Sequence, residues 1–234
     1  MASFFVQSIT PPILKGLVGW WRFNELTGSV VKESMFGRAT LNYSNNTVTR
    51  SFFQNEPALT FTNGTDGGVT TTVSPPNFPT GQNPRTLCGW INPYSNASTS
   101  NDGAFMSLGT AGSGQTFTFT PINLNGTYYI FTDSVNVGNN MTCLLSQLPP
   151  AGVWSHIALT FDGGSAWAYY VNGVLIKNGT FGVTINTTQT GIEIGTRYNS
   201  AVGQKTIGES VANMRLYNRA LSATELLILY NNKQ

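Results

Sequence analysis

Residues Trp154–Ile176 read WSHIALTFDGGSAWAYYVNGVLI, and their spacing decides the fold. Ile157, Leu159 and Phe161 fall on one parity of the first run, and Trp154, His156, Ala158 and Thr160 on the other. A strand alternates faces residue by residue, so at least one of these faces enters a core. Asp162-Gly163-Gly164-Ser165 then supplies turn residues that tolerate positive φ. Ala166 to Val171 resumes the alternation, with Trp167, Tyr169 and Val171 together on one side. Asn172-Gly173, set between Val171 and Val174, is a strong two-residue hairpin signal. The stretch therefore predicts two linked antiparallel hairpins.

The same alternation recurs outward from this centre. Thr116-Phe117-Thr118-Phe119-Thr120 alternates strictly, and short apolar runs around Phe52-Phe53 and Leu59-Thr60-Phe61 are punctuated by Asn63-Gly64, Gly67-Gly68 and Pro75-Pro76. Leu17–Phe23, LVGWWRF, places two adjacent tryptophans on opposite faces of a strand, so one of them leaves the main core. Ser222 followed by Glu225 is a capping box, and Leu226, Leu229 and Tyr230 form the apolar stripe of a short terminal helix. Residues 1–16 read as an extended arm, with apolar Phe4, Phe5 and Val6 ahead of Pro11-Pro12.

W-x-H-I-A-L-T-F-D-G followed by Y-V-N-G resembles the middle of a laminin-G-like domain of the concanavalin A-like lectin/glucanase superfamily. Leu17-Val18 with Trp21 and Phe23 is similar to the opening of that family. Met214-Arg215-Leu216-Tyr217-Asn218-Arg219-Ala220-Leu221-Ser222 is similar to its ending. The resemblance implies an all-β fold: an antiparallel two-sheet jelly-roll sandwich over residues 17–234 with a short C-terminal helix, preceded by the arm. Where relatives carry a loop rich in Asp, Ser, Gly and Asn, this chain reads Glu33-Ser34-Met35-Phe36-Gly37-Arg38. That removes possible oxygen ligands, and no strong calcium requirement is expected.

A chain of 234 residues, 40% hydrophobic, is long enough to bury one sizeable core. Charged residues are only 9% of it, so Thr, Asn, Ser and Gly must carry most of the surface solvation. The net charge of +2 is spread without a basic cluster, which argues against nucleic-acid partners. No apolar run approaches the length of a membrane-crossing helix, so membrane insertion is not expected. The opening MASFFVQSITPPILKG has no cationic n-region and no long apolar run, so synthesis in the cytosol without a secretory leader is expected. Asn-x-Ser/Thr triplets such as those at Asn45, Asn63 and Asn178 are accordingly read as turn chemistry. Cys88 and Cys143 are expected to be buried thiols rather than a disulfide.

Catalysis finds few parts in the sequence. A retaining glycosidase needs two carboxylates about 5 Å apart, and none of the ten acids forms an E-x-D pattern on a strand. His156, the one histidine, lacks a sequence-adjacent acid or cysteine and reads as a strand residue. Zinc has no adequate ligand set. Asp66, Asp102 and Asp162, in Gly-containing loops, are the weak calcium candidates, each read first as a turn former. Sugar binding needs an aromatic platform with planar polar groups. Its candidates are Trp21, with Trp20 as the alternative, and Trp167, Tyr169, Tyr170, Tyr198 and Asn199. Each of the aromatic ones reads first as core, which a sandwich also requires.

An extracellular-type module on a chain without a leader is reconciled by assembly inside a host cell. The sequence thus leads to a non-catalytic virion-surface structural or decoration protein of a bacteriophage, docked by its arm as a homo-oligomer on capsid or tail proteins and able to contact cell-surface glycans. The alternatives are an extracellular carbohydrate-binding or adhesion module and, less favoured, a glycoside hydrolase. No cofactor is expected.

Overall fold

A computed structural model of the chain describes residues 12–25, 27–35, 37, 39–43, 48–62, 67–71, 73–94, 104–110, 114–124, 127–131, 141–182, 184–188, 191–196 and 209–233, with residues 120–124, 127–131 and 141 described by backbone alone. Among the described residues the strands form two antiparallel sheets. The front sheet runs in the order β14 (Val174–Thr180), β13 (Ala166–Val171), β12 (Ser155–Phe161), β7 (Arg85–Pro93), β16 (Glu209–Tyr217), β5 (Glu56–Phe61) and β4 (Val48–Phe53). The first strand, β1 (Leu17–Trp21), pairs with the second half of β16. The back sheet runs β11 (Met141–Cys143), β10 (Thr127–Phe131), β9 (Thr116–Leu124), β8 (Met106–Gly109), β15 (Ile192–Ile194), β6 (Val69–Thr71), β3 (Leu41–Tyr43) and β2 (Val30–Val31). The all-β two-sheet sandwich that the resemblance implies is the observed fold, and among the described residues it ends in one helix, α1 (Ala223–Asn231).

The two hairpins read from the central stretch are β12–β13 and β13–β14. Asn172 and Gly173 have φ of 52° and 77°, the paired positive values that a two-residue hairpin with strand-matched twist requires. A side chain on Gly173 would also strike the backbone of Leu227 in α1. Between the sheets, Leu87, Ile91, Ile157, Leu159, Phe161 and Val211 from the front meet Leu108, Phe117, Ile192 and Ile194 from the back in one cluster.

Strand β7 is buried at every position except Asn92, which is half-buried. Its two faces therefore both need cover. The back sheet covers one, and α1 covers much of the other. Leu226 and Leu229 pack with Leu17, Cys88, Ala158, Tyr170 and Tyr217 on the outer face. The predicted capping box is present: the Ser222 hydroxyl accepts from the Glu225 amide, and the Glu225 carboxylate accepts from the Ser222 amide. Arg219 grips both oxygens of Glu225 at 2.9 and 2.7 Å and donates from Nε to the carbonyl of Lys15. Residues 12–16, assigned to an extended arm by sequence, instead carry a single 3₁₀ turn at Pro12–Leu14, with Ile13 and Leu14 packed on this outer cluster. Proline tolerates the first turn of a helix, where its missing amide costs nothing. Phe4, Phe5 and Val6 lie outside the described residues.

Cys88 belongs to the outer cluster and Cys143 to the core between the sheets, and both are free thiols. Burial pushes Cys88 up to about 12 and Cys143 up to about 11, so both are protonated and inert at neutral pH. At the sandwich edge, Lys177 of β14 donates from Nζ to the carbonyl of Thr142 in β11, joining the last strand of one sheet to the last strand of the other.

Truncating Leu226 to Ala should cost about 3 kcal/mol and Ser222→Ala about 1 kcal/mol, read from urea midpoints by tryptophan fluorescence. An undiminished midpoint for the Leu226 variant would mean that α1 does not hold the outer face. Chiefly through its hydrogen bonds to Arg219, the Glu225 carboxyl is held down at about 2 against an ordinary 4.5. A depressed folded pKa stabilises above the unfolded value and loses that contribution as pH falls through the folded one. The stability difference between wild type and Glu225→Gln should therefore be complete above about pH 4.5 and shrink toward pH 2.

Candidate functional site: an aromatic groove on the outer face

Helix α1 roofs the outer face only in part. Past its C-terminal end the front sheet is open, and two adjoining depressions of about 360 and 270 Å³ share Phe53, Gln54 and Lys233 as common lining. The first is bordered further by Trp20, Arg22, Glu56 and Asn213, the second by Trp90, Trp154, Asn172 and Tyr230. Phe53 closes β4 and Glu56 opens β5; the turn between them, Gln54-Asn55, has φ of 50° and 70°. That hairpin carries no Asn-Gly signature, and its tip was not legible in the sequence.

The groove floor is a chain of rings. Phe53 lies 4.5 Å from Trp90 and 4.6 Å from Trp154 between centroids, and Trp90 lies 5.7 Å from Tyr230. Phe53 and Trp90 are buried, whereas Trp154 and Tyr230 are half-buried and keep surface available for a ligand. Trp20, also half-buried, has the guanidinium carbons of Arg215 and Arg22 over its ring, 4.4 and 5.1 Å from the centroid. Its indole N–H donates to Asn213 Oδ1 at 3.2 Å. Asn213 has φ of 50° at the bulge where the β16–β7 register shifts. Met214 at that bulge lays its thioether over Gly89, where a larger residue would have to displace it. Arg22 reaches Glu56 at 3.6 Å. Lower on the same face, the hydroxyls of Ser51, Thr60 and Ser210 form a ladder across three strands at 2.8 and 2.6 Å. Stacking surfaces, planar polar groups and hydroxyls thus share one rigid sheet face, the combination that recognises a polyhydroxylated ring.

His156 lies under the groove, 5.5 Å from Trp90 in an edge-on arrangement. Neither ring nitrogen has a hydrogen-bond partner. Burial, helped by the charge of Arg215, pushes its pKa down to about 3, so it is neutral at physiological pH.

The sequence-derived candidates do not assemble into one site. Trp21 is fully buried in the main core and donates its indole N–H to the Ala39 carbonyl, so no sugar can stack on it. Tyr169 is fully buried edge-on against Phe119, 5.5 Å away. Tyr170 lies in the cluster beneath α1. Trp167 packs on Phe181 and only borders a shallow depression with Asp162 and Asn178. Tyr198 and Asn199 lie outside the described residues, as do Asp66 and Asp102. Asp162 acts as a turn former, its Oδ1 accepting from the amides of Gly164 and Ala166. Glu33, in the loop that departs from the family pattern, accepts from the amides of Trp20, Met35 and Gly37, so its carboxylate organises the backbone there. Among the described residues no three His, Cys, Asp or Glu side chains gather as metal ligands. The sequence signal for this groove is parity: Trp21 and Phe23 share the inward face of LVGWWRF, which turns Trp20 outward, and Trp154 shares the outer parity of β12.

A laminin-G-like family model, described as the concanavalin A-like lectin/glucanases superfamily, matches residues 63–227, well over half of the chain. The chain belongs to that superfamily. Its fold is similar to domain 4 of an extracellular arabinanase from Geobacillus stearothermophilus, solved in complex with arabinotriose: 17% identity, TM-score 0.68, covering 92% of this chain and 98% of that domain. It is similar to the binding domain of Paraclostridial Mosquitocidal Protein 1, at 14% identity and TM-score 0.65 over 94% of this chain and 53% of the other. Trypanosoma rangeli sialidase matches at 18% identity and TM-score 0.64 over 94% of this chain, which spans only 33% of the sialidase. At these identities the likeness establishes the lectin-like fold. No curated protein sequence matches the chain significantly. No helix among the described residues is long and apolar enough to cross a membrane.

The buried imidazole gives the lectin-like domain an acid-sensitive spot. Between about pH 6.5 and 3 the unfolded chain takes up a proton that native His156 refuses, so stability is full above 6.5 and falls as pH drops below it. His156→Phe should flatten that slope in thermal unfolding followed across the window; an unchanged slope would assign the acid loss elsewhere.

Proposed function

We propose that the protein is a non-catalytic glycan-binding module that takes its ligand in the outer-face groove. The observation that carries this reading is the pair of half-buried rings of Trp154 and Tyr230 on the floor that Phe53 and Trp90 complete, with Arg22, Gln54, Glu56 and Asn213 beside it. Sugar rings stack their C–H faces on aromatic planes while hydroxyls bond planar amide, carboxylate and guanidinium groups. Two exposed-side cations, Arg22 and Lys233, against the single carboxylate of Glu56 favour a glycan that carries negative charge. The arabinotriose held by the arabinanase domain of like fold supports the class of ligand.

The non-catalytic part of the reading rests on how the acids are used. Glu33 and Asp162 are engaged by backbone amides, Glu225 by the helix cap and Arg219, and Glu56 by Arg22. Glu56 is the one carboxylate among the described groove residues, where two facing carboxylates would be needed for glycoside cleavage. Display on a phage particle, with capsid or tail partners and self-association, is the finer placement expected from the sequence. Its support is the sparsely charged surface, and none of the similar proteins named above is a virion protein.

Trp154→Ala and Arg22→Ala should each weaken binding to an acidic glycan on an array by about tenfold or more while leaving the melting temperature within a few degrees. Glycan binding that survives both changes would sink the groove assignment. Release of reducing sugar from that glycan by the wild-type protein would sink the non-catalytic one.

A further inference from the structure

Helix α1 is apolar on every side. Leu226, Leu227, Ile228, Leu229 and Tyr230 are consecutive, and at 3.6 residues per turn such a run goes once round the axis. Leu226 and Leu229 pack in the outer cluster. Leu227 and Ile228 face away from it, 43% and 38% exposed. The β13–β14 hairpin beside them adds Val174 at 60% and Leu175 at 46%. These side chains form one patch. A Cβ placed on Gly173 would lie 2.9 Å from both Cα and Cδ1 of Leu227, so the hairpin tip touches the helix. Leu175 pairs with Tyr170, whose ring packs in the cluster beneath α1. Single exposed leucines are ordinary on a protein surface, but a helix that is apolar all round is normally a covered one.

The chain holds a segment fit to cover it. Residues 1–11, MASFFVQSITP, carry no charged side chain and include Phe4, Phe5, Val6 and Ile9. They precede Pro12, which opens the 3₁₀ turn whose Ile13 and Leu14 pack in the same cluster as Leu226 and Leu229. The arm therefore joins the described structure beside α1. Thr10 and Pro11 each stand before a proline, which favours an extended backbone. From Pro12 back to Phe4 an extended chain reaches roughly 26 Å, about twice the width of a helix with its side chains. We propose that this arm folds back across α1 of its own chain and lays Phe4, Phe5 and Val6 on the patch made by Leu175, Leu227 and Ile228. The arm of a second copy would bring the same side chains. The tether to Pro12, however, gives the chain's own arm an effective concentration on the order of millimolar, which a separate molecule would have to match. The arm then forms a third layer over the outer face, holding the helix from above as the sheet holds it from below. The glycan groove lies beyond the C-terminal end of α1, on a different surface, so failure of either reading leaves the other intact.

Limited proteolysis of the full chain with chymotrypsin, which cuts after aromatic residues, reads the arm directly by mass spectrometry. Cleavage after Phe4 and Phe5 should be slower in the wild type, by about tenfold or more, than in a Leu227→Ser/Ile228→Ser variant. Should that variant lose its native circular dichroism, Leu175→Ser on the hairpin carries the same expectation. Deleting residues 1–9 should lower the melting temperature by about 3 °C or more and speed amide exchange along α1 by about tenfold. It should also raise binding of a fluorescent apolar-surface dye, and each effect should be the same at about 1 and about 100 μM protein. Equal cleavage in wild type and variants would overturn the proposal, as would a deletion that leaves α1 exchange and dye binding unchanged. A wild-type dimer in light scattering that dissociates on deletion would place the arm on a second copy, and would overturn it too.

Discussion

A front sheet whose central strand is apolar on both faces sets the terms for everything else in this molecule. Along β7, Leu87 and Ile91 face the back sheet while Cys88 and Trp90 face the opposite way, and no water-exposed register exists for such a strand. The chain meets the demand with a second layer: one short helix, fixed at its start by Ser222, Glu225 and Arg219. Because nine residues of helix cannot cover the whole face, the uncovered remainder is an aromatic floor open to solvent. Groove and fold have the same origin.

The groove's chemistry is positioned by irregularities in otherwise regular pairing. A bulge at Asn213 turns that side chain toward the indole of Trp20, and the tight Gln54-Asn55 turn puts an amide beside Phe53. Arg215, nearly buried, lies over the ring of Trp20. Rigid strands therefore present the rings, and the polar groups come from the places where strands shift or turn.

Much of the fold was legible because period-two alternation and turn chemistry are local. Asn172-Gly173, Phe117 with Phe119, and the Ser222–Glu225 box each appear where the spacing put them. The site was less legible. Burial on both faces of the front sheet erases the usual distinction between an inward apolar and an outward polar parity, so Tyr169 and Trp21 looked like platforms and are core. Which outer aromatics remain uncovered depends on where α1 stops, a tertiary fact.

Open sandwiches normally expose backbone at their rims, an invitation to fibril-like stacking of one molecule on another. Here the outermost front strand carries Lys177 inside its span, and the ammonium latches onto the peptide oxygen of Thr142 in the outermost back strand. A cation planted in the middle of a rim, tied across the gap, makes that side a poor template for a visiting chain. For a molecule with so little charge to keep neighbours apart, this small clasp favours discrete particles over aggregates when many copies are crowded together.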